Sequence, residues 1–165
     1  MSKPEPPRFI ADIMLGSLAK KLRLLGIDTA YIKDADDNEL KYLVRSQNRI
    51  LLTRDMNLSR NLGDHAWLVN GSDAREEFLS IAERLAPFSD NIMPFSRCLD
   101  CNEPLITIDA SETDGRVPPY ILSSKTHFSK CSSCGKVFWE GTHRKRMVQE
   151  VEWMRKFIEE KRDKG

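Results

Sequence analysis

Arg49-Ile50-Leu51-Leu52-Thr53-Arg54-Asp55 is the stretch whose reading decides the architecture. Its nearly continuous apolar run has strand length and suits burial on both faces, as in a parallel sheet covered by helices. It ends on an acid, and in an open parallel sheet ligands bind beyond the carboxyl ends of the strands. Outward from it the same alternation repeats. Arg8 to Ala11 reads as a strand ending at Asp12, and Met14, Leu15, Leu18, Ala19, Leu22 and Leu25 fall at helical spacing up to Gly26, a residue suited to a left-handed helix end. Asp28 to Ile32 is the next strand, followed by the turn Lys33 to Asn38 and a helix with Leu40, Leu43 and Val44 on one face. After Asp55, Met56 to Leu62 is a short helix, Ala66 to Val69 a fourth strand, and Asp73 with Glu76 a capping-box opening to a helix reaching Leu85. Strands alternating with helices define an α/β domain with a parallel sheet.

The chain has 165 residues, 40% of them apolar. That length holds one ordinary domain, or a domain of about 90 residues with a smaller annex, and the apolar fraction excludes a mainly disordered chain. No apolar run approaches the ~18 residues of a membrane span. Met1 to Pro7 carries three prolines and no apolar h-region, so it reads as a flexible lead-in and the protein is expected in the cytoplasm. With 26 basic against 25 acidic residues, any contact with nucleic acid has to come from a local patch. Pro87, Ser89, Asp90, Asn91 and Pro94 form a linker. Beyond it helical periodicity fades until Thr142 to Lys164, a charged helix with Met147, Val151, Met154 and Ile158 inward.

Acids follow three of the strands: Asp12 the first, Asp34, Asp36 and Asp37 the second, and Asp55 the third. Gathered carboxylates repel one another unless a cation or protons compensate. Mg²⁺ or Mn²⁺ is the natural compensator, and either supports phosphodiester hydrolysis. Helix capping explains the same acids without a metal, because Asp is favoured at N-caps. Arg54 either approaches a phosphate or pairs with one of these acids.

All four cysteines lie in the second half, as Cys98-Leu-Asp-Cys101 and Cys131-Ser-Ser-Cys134. Two C-x₂-C units give four thiolates able to close a tetrahedral Zn²⁺ site, with no open position for a substrate, so the zinc is expected to be structural and His127 and His143 to stand outside its ligands. Asn102 and Gly135 each follow a second cysteine, where a knuckle requires positive φ. The 29 residues between the pairs exceed the usual 15 to 20 or so, which predicts an extended hairpin containing Val117-Pro118-Pro119. Redox disulfides and unconnected thiols are the other readings of such a set. Phe128, Phe138 and Trp139 either stack on bases or fill the core of the ribbon. Arg144, Lys145 and Arg146 are the densest basic stretch and the candidates for phosphate contact.

Taken together, Phe9-Ile-Ala-Asp12, Met14-Leu-Gly-Ser-Leu-Ala19, Leu22-Arg-Leu-Leu-Gly26, Arg49 to Asp55, Arg97-Cys-Leu-Asp-Cys101, Val117-Pro118, Cys131-Ser-Ser-Cys-Gly135 and Phe138-Trp-Glu-Gly-Thr-His143 resemble the Mut-seven C-terminal RNase domain family. The resemblance implies a PIN-like three-layer α/β/α domain over residues 8–88, a zinc ribbon over 95–148 and a C-terminal helix continuing over 149–165. It also implies divalent-metal-dependent cleavage of RNA, with Asp12, Asp37 and Asp55 as catalytic metal ligands. Asp36 competes with Asp37 for the middle position, and Asn57 or Asp73 stands as a fourth group. Arg54, Arg144, Lys145 and Arg146 are the expected RNA contacts. Two rivals stand beside the ribonuclease: a non-catalytic RNA- or ribosome-binding zinc-ribbon module, and a phosphohydrolase of small esters. Against the last, no Asp-x-Asp follows the first strand, since Asp12 precedes Ile13 and Met14.

Overall fold

A computed structural model describes residues 2–125 and 127–165. Strands β1 (Phe9–Ala11), β2 (Thr29–Tyr31), β3 (Ile50–Thr53) and β4 (Ala66–Leu68) form a parallel sheet in the order β2-β1-β3-β4. Side chains alternate across it with the period of two that a strand imposes. Phe9, Ala11 and Leu52 face helices α1 (Gly16–Leu24), α4 (Ala74–Leu85) and α6 (Thr142–Lys164), whereas Ile10 and Leu51 face α2 (Asp37–Ser46) and α3 (Met56–Leu62). Both faces are thereby covered, giving the three-layer α/β/α arrangement that apolar strands require.

The first helical segment departs from its expected form. Ile13–Leu15 is a 3₁₀ turn and α1 begins only at Gly16, because the Asp12 side chain accepts the Ile13 N–H and tightens the entry. Met14, expected inward, is consequently exposed. At the other end Gly26 has φ +82°, and a Cβ there would stand 1.9 Å from the Met93 carbonyl oxygen. Glycine is required twice over, by backbone conformation and by the linker's close approach. The capping box expected at α4 is half formed. Asp73 accepts the Glu76 N–H, but the Glu76 carboxylate turns back to the N–H and hydroxyl of Ser72.

Residues 86–91 form a 3₁₀ turn and not a bare linker. The turn lies against α6, where Arg162 reaches Ser89. α6 itself returns to the α/β layers. Val151, Met154 and Ile158 join the core with Phe78, Ile81 and Leu85, Trp153 packs 5.6 Å from the Phe78 ring, and Lys21 pairs with Glu150.

The small domain is an antiparallel sheet of β5 (Leu105–Ile108), β6 (Phe128–Cys131) and β7 (Val137–Trp139), in that order. Its core is Ile108, Val117, Phe128 and Val137. Phe128 is therefore a core residue, while Phe138 and Trp139 are half-buried. β5 and β6 pair as the hairpin expected of the long insert, and the helix α5 (Pro119–Ser124) opens at the second proline of Val117-Pro118-Pro119. Polar groups lock the first knuckle to the larger domain. The buried Arg23 donates to the carbonyls of Thr29 and Leu99, and Asn102 bridges the Thr29 N–H to Asp28. Burial opposes ionisation of Asp28, yet hydrogen bonds from Arg49 and Asn102 prevail and hold its carboxyl below the ordinary value.

Candidate active edge and metal centre

The strand order makes β1 and β3 neighbours at the centre of the sheet, with the chain leaving β1 for β2 on one side and β3 leading to β4 on the other. This is the switch point at which α/β sheets open a crevice for ligands. Asp12 leaves β1 and Asp55 follows β3 there, and one side chain joins them. Thr53, completely buried at the end of β3, donates its hydroxyl to Asp12 Oδ2 at 2.9 Å and accepts the Asp55 N–H at 3.0 Å. Asp12 Oδ1 accepts the Ile13 N–H at 2.7 Å, and the Asp12 N–H donates to the Leu52 carbonyl at 2.9 Å. Asp12 is thus held through both carboxylate oxygens and its own backbone. Thr53 stood in the quoted Thr-Arg-Asp run, but its role as a bridge depends on the neighbouring strand and was not read from sequence.

The remaining acids take capping positions. Asp36 is the N-cap of α2 and accepts the Glu39 N–H, Asp55 is the N-cap of α3 and accepts the Leu58 N–H through Oδ1, and Asp73 caps α4. Asp37, the first residue of α2, is exposed, as is Asn57 within α3. Capping and metal binding are compatible uses of a carboxylate, because a cap engages one oxygen and leaves the other. The edge acids do not, however, converge into a compact ligand set. Among the described residues, the cysteines are the one group of three or more His, Cys, Asp or Glu placed to share an ion.

Arg54 pairs with Glu77 of α4 at 3.6 Å, and not with any of the strand-end acids. Glu77 was not singled out from sequence, although its i, i+4 and i+8 relation to Ile81 and Leu85 puts it beside the buried face of α4. Only 7% of its side chain is exposed. Burial pushes its carboxyl above the usual range, against the opposing effect of Arg54. Arg54 keeps 42% of its side chain exposed beside this acid, so it stays accessible from the carboxyl edge.

Cys98, Cys101, Cys131 and Cys134 bring their sulfurs within 4.8 Å of one another. The two knuckles are built alike. Asn102 N–H returns to the Cys98 carbonyl and Gly135 N–H to that of Cys131, with φ of +67° at Asn102 and +73° at Gly135. Both positive-φ positions expected from the sequence are therefore present. Cys98 and Cys134 sulfurs lie 3.9 Å apart, against about 3.8 Å for a tetrahedron with Zn–S bonds of about 2.3 Å. The thiols share protons unevenly. Hydrogen bonding with Cys134 is the main effect pushing Cys101 up to about 12, while the Lys136 backbone N–H leads in drawing Cys134 down to about 7. Four soft donors at these separations can hold a zinc ion.

At the start of α6, Arg144 lies 4.2 Å over the Phe95 ring and 3.8 Å from Glu140, whereas Lys145 and Arg146 are exposed. Among the described residues no helix is long and apolar enough to cross a membrane. The expected cytoplasmic location has no structural counterpart.

The model of the Mut7-C RNAse domain matches residues 7–151. No curated protein and no solved structure matches the chain. The family match runs through both the parallel sheet and the cysteine knuckles and covers most of the sequence. The chain belongs to the Mut7-C RNAse domain family.

Proposed function

We propose that this protein is a divalent-metal-dependent ribonuclease acting at the carboxyl edge of its parallel sheet. The observation that carries the reading is the Asp12–Thr53–Asp55 relay at the switch point, in a chain of an RNase domain family. The donors at that edge are hard carboxylate oxygens, the type that Mg²⁺ and Mn²⁺ select. Asp12 and Asp55 would hold the ion; no third acid converges on them among the described residues, so Asp37 or Asp36 from the β2 side and Asn57 or Asp73 would have to move in as further ligands. When bound, such an ion acidifies water and neutralises charge on the scissile phosphate.

The chain's own residues supply the rest. Thr53 orients the Asp12 carboxylate and fixes the Asp55 backbone, while the Leu58 N–H holds the Asp55 carboxylate, so that neither acid has to reorganise when substrate arrives. Arg54 is near enough to the edge to meet a phosphate oxygen, and the buried Glu77 restrains it. The four cysteines bind a structural zinc that shapes the ribbon, and Arg144, Lys145 and Arg146 contact the RNA backbone. Residues 8–88 act as the nuclease unit and 95–148 as the ribbon, with 149–165 continuing the terminal helix.

End-labelled mixed RNA incubated with purified protein and Mg²⁺ or Mn²⁺ tests this reading, beside an Asp12→Asn, Asp55→Asn double variant. Metal-dependent cleavage lost in the variant is the expected result. The capping geometry of Asp36, Asp55 and Asp73 favours a second reading, a zinc-ribbon module that binds RNA without cutting it. Equal RNA binding by parent and double variant, with no cleavage by either, would establish that instead.

A further inference from the structure

A cavity of about 330 Å³ lies between the ribbon and the larger domain. Phe138 and Trp139 of β7, Phe95 just after the linker, and Arg144 and Met147 of α6 are among its walls, with His127 just ahead of β6. This volume stands at the small end of ligand sites, enough for one compact group and not for an extended ligand. Phe95 has φ +62°, a conformation that bulky L-residues rarely adopt and that is retained mainly where a ligand or switch needs it. The Phe95 N–H is tied to the Leu24 carbonyl at 3.0 Å, so the strained backbone sets the ring against the cavity while the Arg144 guanidinium covers it at 4.2 Å.

Charge completes the pattern. α6 carries Arg144, Lys145 and Arg146 near its start, has no acid in its first turn, and receives no side-chain cap from Gly141. Cations there oppose the helix macrodipole, and an anion next to them relieves the conflict. Arg97 also lines the cavity, but its guanidinium is committed to the Gly26 and Asn102 carbonyls; Arg144 lies 3.8 Å from Glu140, an exposed acid that lines the same cavity, so a phosphate here replaces that loose pairing. Aromatic walls with a cationic helix start beside them match a base attached to a phosphate.

We propose that this cavity receives one nucleobase of a single-stranded RNA, stacked against Phe138, with the adjoining phosphate at Arg144 to Arg146. The inference rests on the reading that the protein acts on RNA, and it names the element of the substrate that is gripped. A base can enter only if it is unstacked, so duplex RNA is excluded. The cavity adjoins Leu24, the last residue of α1. α1 starts at the acid edge and runs nine residues, about 14 Å at 1.5 Å per residue. The gripped base therefore lies away from the cleaved bond, and the cavity anchors the strand without joining the chemistry.

The test is fluorescence anisotropy of a labelled single-stranded 12-mer RNA in the Asp12→Asn, Asp55→Asn background, which holds RNA intact without chelators. Phe138→Ala should weaken binding about 5- to 100-fold, as loss of a stacked base does, with Phe138→Tyr restoring it. Arg144→Gln should lower the salt dependence of binding, and a duplex of the same sequence should compete poorly. In the cleaving protein, Phe138→Ala should raise KM more than it lowers kcat. Unchanged affinity in Phe138→Ala with zinc content and circular dichroism intact would overturn the proposal, as would equal affinity for duplex. If Phe138→Ala loses its zinc, Phe95→Leu, which removes the ring that seats Arg144 and lies ahead of the cysteine knuckles, should weaken binding in its place. Cleavage with parental KM in these variants would remove the cavity and keep the nuclease. Phe138-dependent binding by a parent that never cleaves would do the reverse.

Discussion

Thr53→Val removes the hydroxyl that joins the two central acids while nearly preserving side-chain shape. Thr53 has no exposed surface, so the loss is felt without competing changes in solvation of its own methyl. Its bond to the Asp12 carboxylate is charge-assisted and worth about 1.5–3 kcal/mol, and its bond from the Asp55 N–H about 0.5–1.5 kcal/mol. Asp12 is half-buried and Asp55 exposed, so water replaces part of both, leaving a net destabilisation of about 2 kcal/mol. For a chain of this size that is a fall of about 4–8 °C in Tm. The consequence for cleavage is larger in relative terms, because Asp12 loses one of the contacts that orient it. A displacement of about 1 Å at a reacting centre costs roughly 100-fold, and we expect kcat to fall about 10- to 100-fold with KM little changed. Urea denaturation and single-turnover RNA cleavage read the two effects separately, and Thr53→Ser should recover most of both. Parental cleavage by a folded Thr53→Val protein would refute the relay as the organiser of the site.

Three further outcomes are expected. Elemental analysis should find one zinc per chain, and X-ray absorption should find four sulfurs at about 2.3 Å; Cys131→Ser, which removes a buried ligand, should lose the metal and the near-ultraviolet signal of the ribbon, and a variant that keeps both would disprove the site. Met154 is fully buried between α6 and α4, so Met154→Ala should cost about 2–5 kcal/mol and expose α6 amides to hydrogen exchange, whereas unaltered protection would mean that the helix does not help close the core. Glu77 has its pKa raised from 4.5 by burial, so the folded state binds its proton more tightly than the unfolded state does; its contribution is most favourable below the unfolded pKa and is lost as pH rises through the folded one. Glu77→Gln should therefore gain stability relative to the parent as pH rises above 4.5, and a stability difference that shrinks as pH rises would contradict the assignment.

Much of the fold was legible because its signals are local. The apolar run at 50–53 and the acid after it place a strand and its carboxyl end, the segment 56–62 emerges as a helix with the expected bounds, and α6 buries Val151, Met154 and Ile158 as its periodicity requires. The paired cysteines with Asn102 and Gly135 were equally readable, since ligand type, spacing and positive φ belong to a few consecutive residues. The misreadings have physical causes. Met14 follows the helical spacing, yet a side-chain bond from Asp12 winds its turn as 3₁₀ and turns it outward. The Arg54 partner was not foreseeable, because Glu77 lies 23 positions away on a helix whose packing alone brings it to the sheet edge.

Element types, the positions of the strand-end acids and the paired-cysteine set are carried by the chain locally, since each follows from residue periodicity, capping chemistry or short spacing. Folding alone links Asp12 to the Asp55 backbone through Thr53, closes the larger core with α6 and brings Phe95, Phe138 and Arg144 together at one cavity. Strand order and the docking of the ribbon create those contacts. They depend on burial summed over many distant side chains, for which no single stretch of sequence carries a local signature.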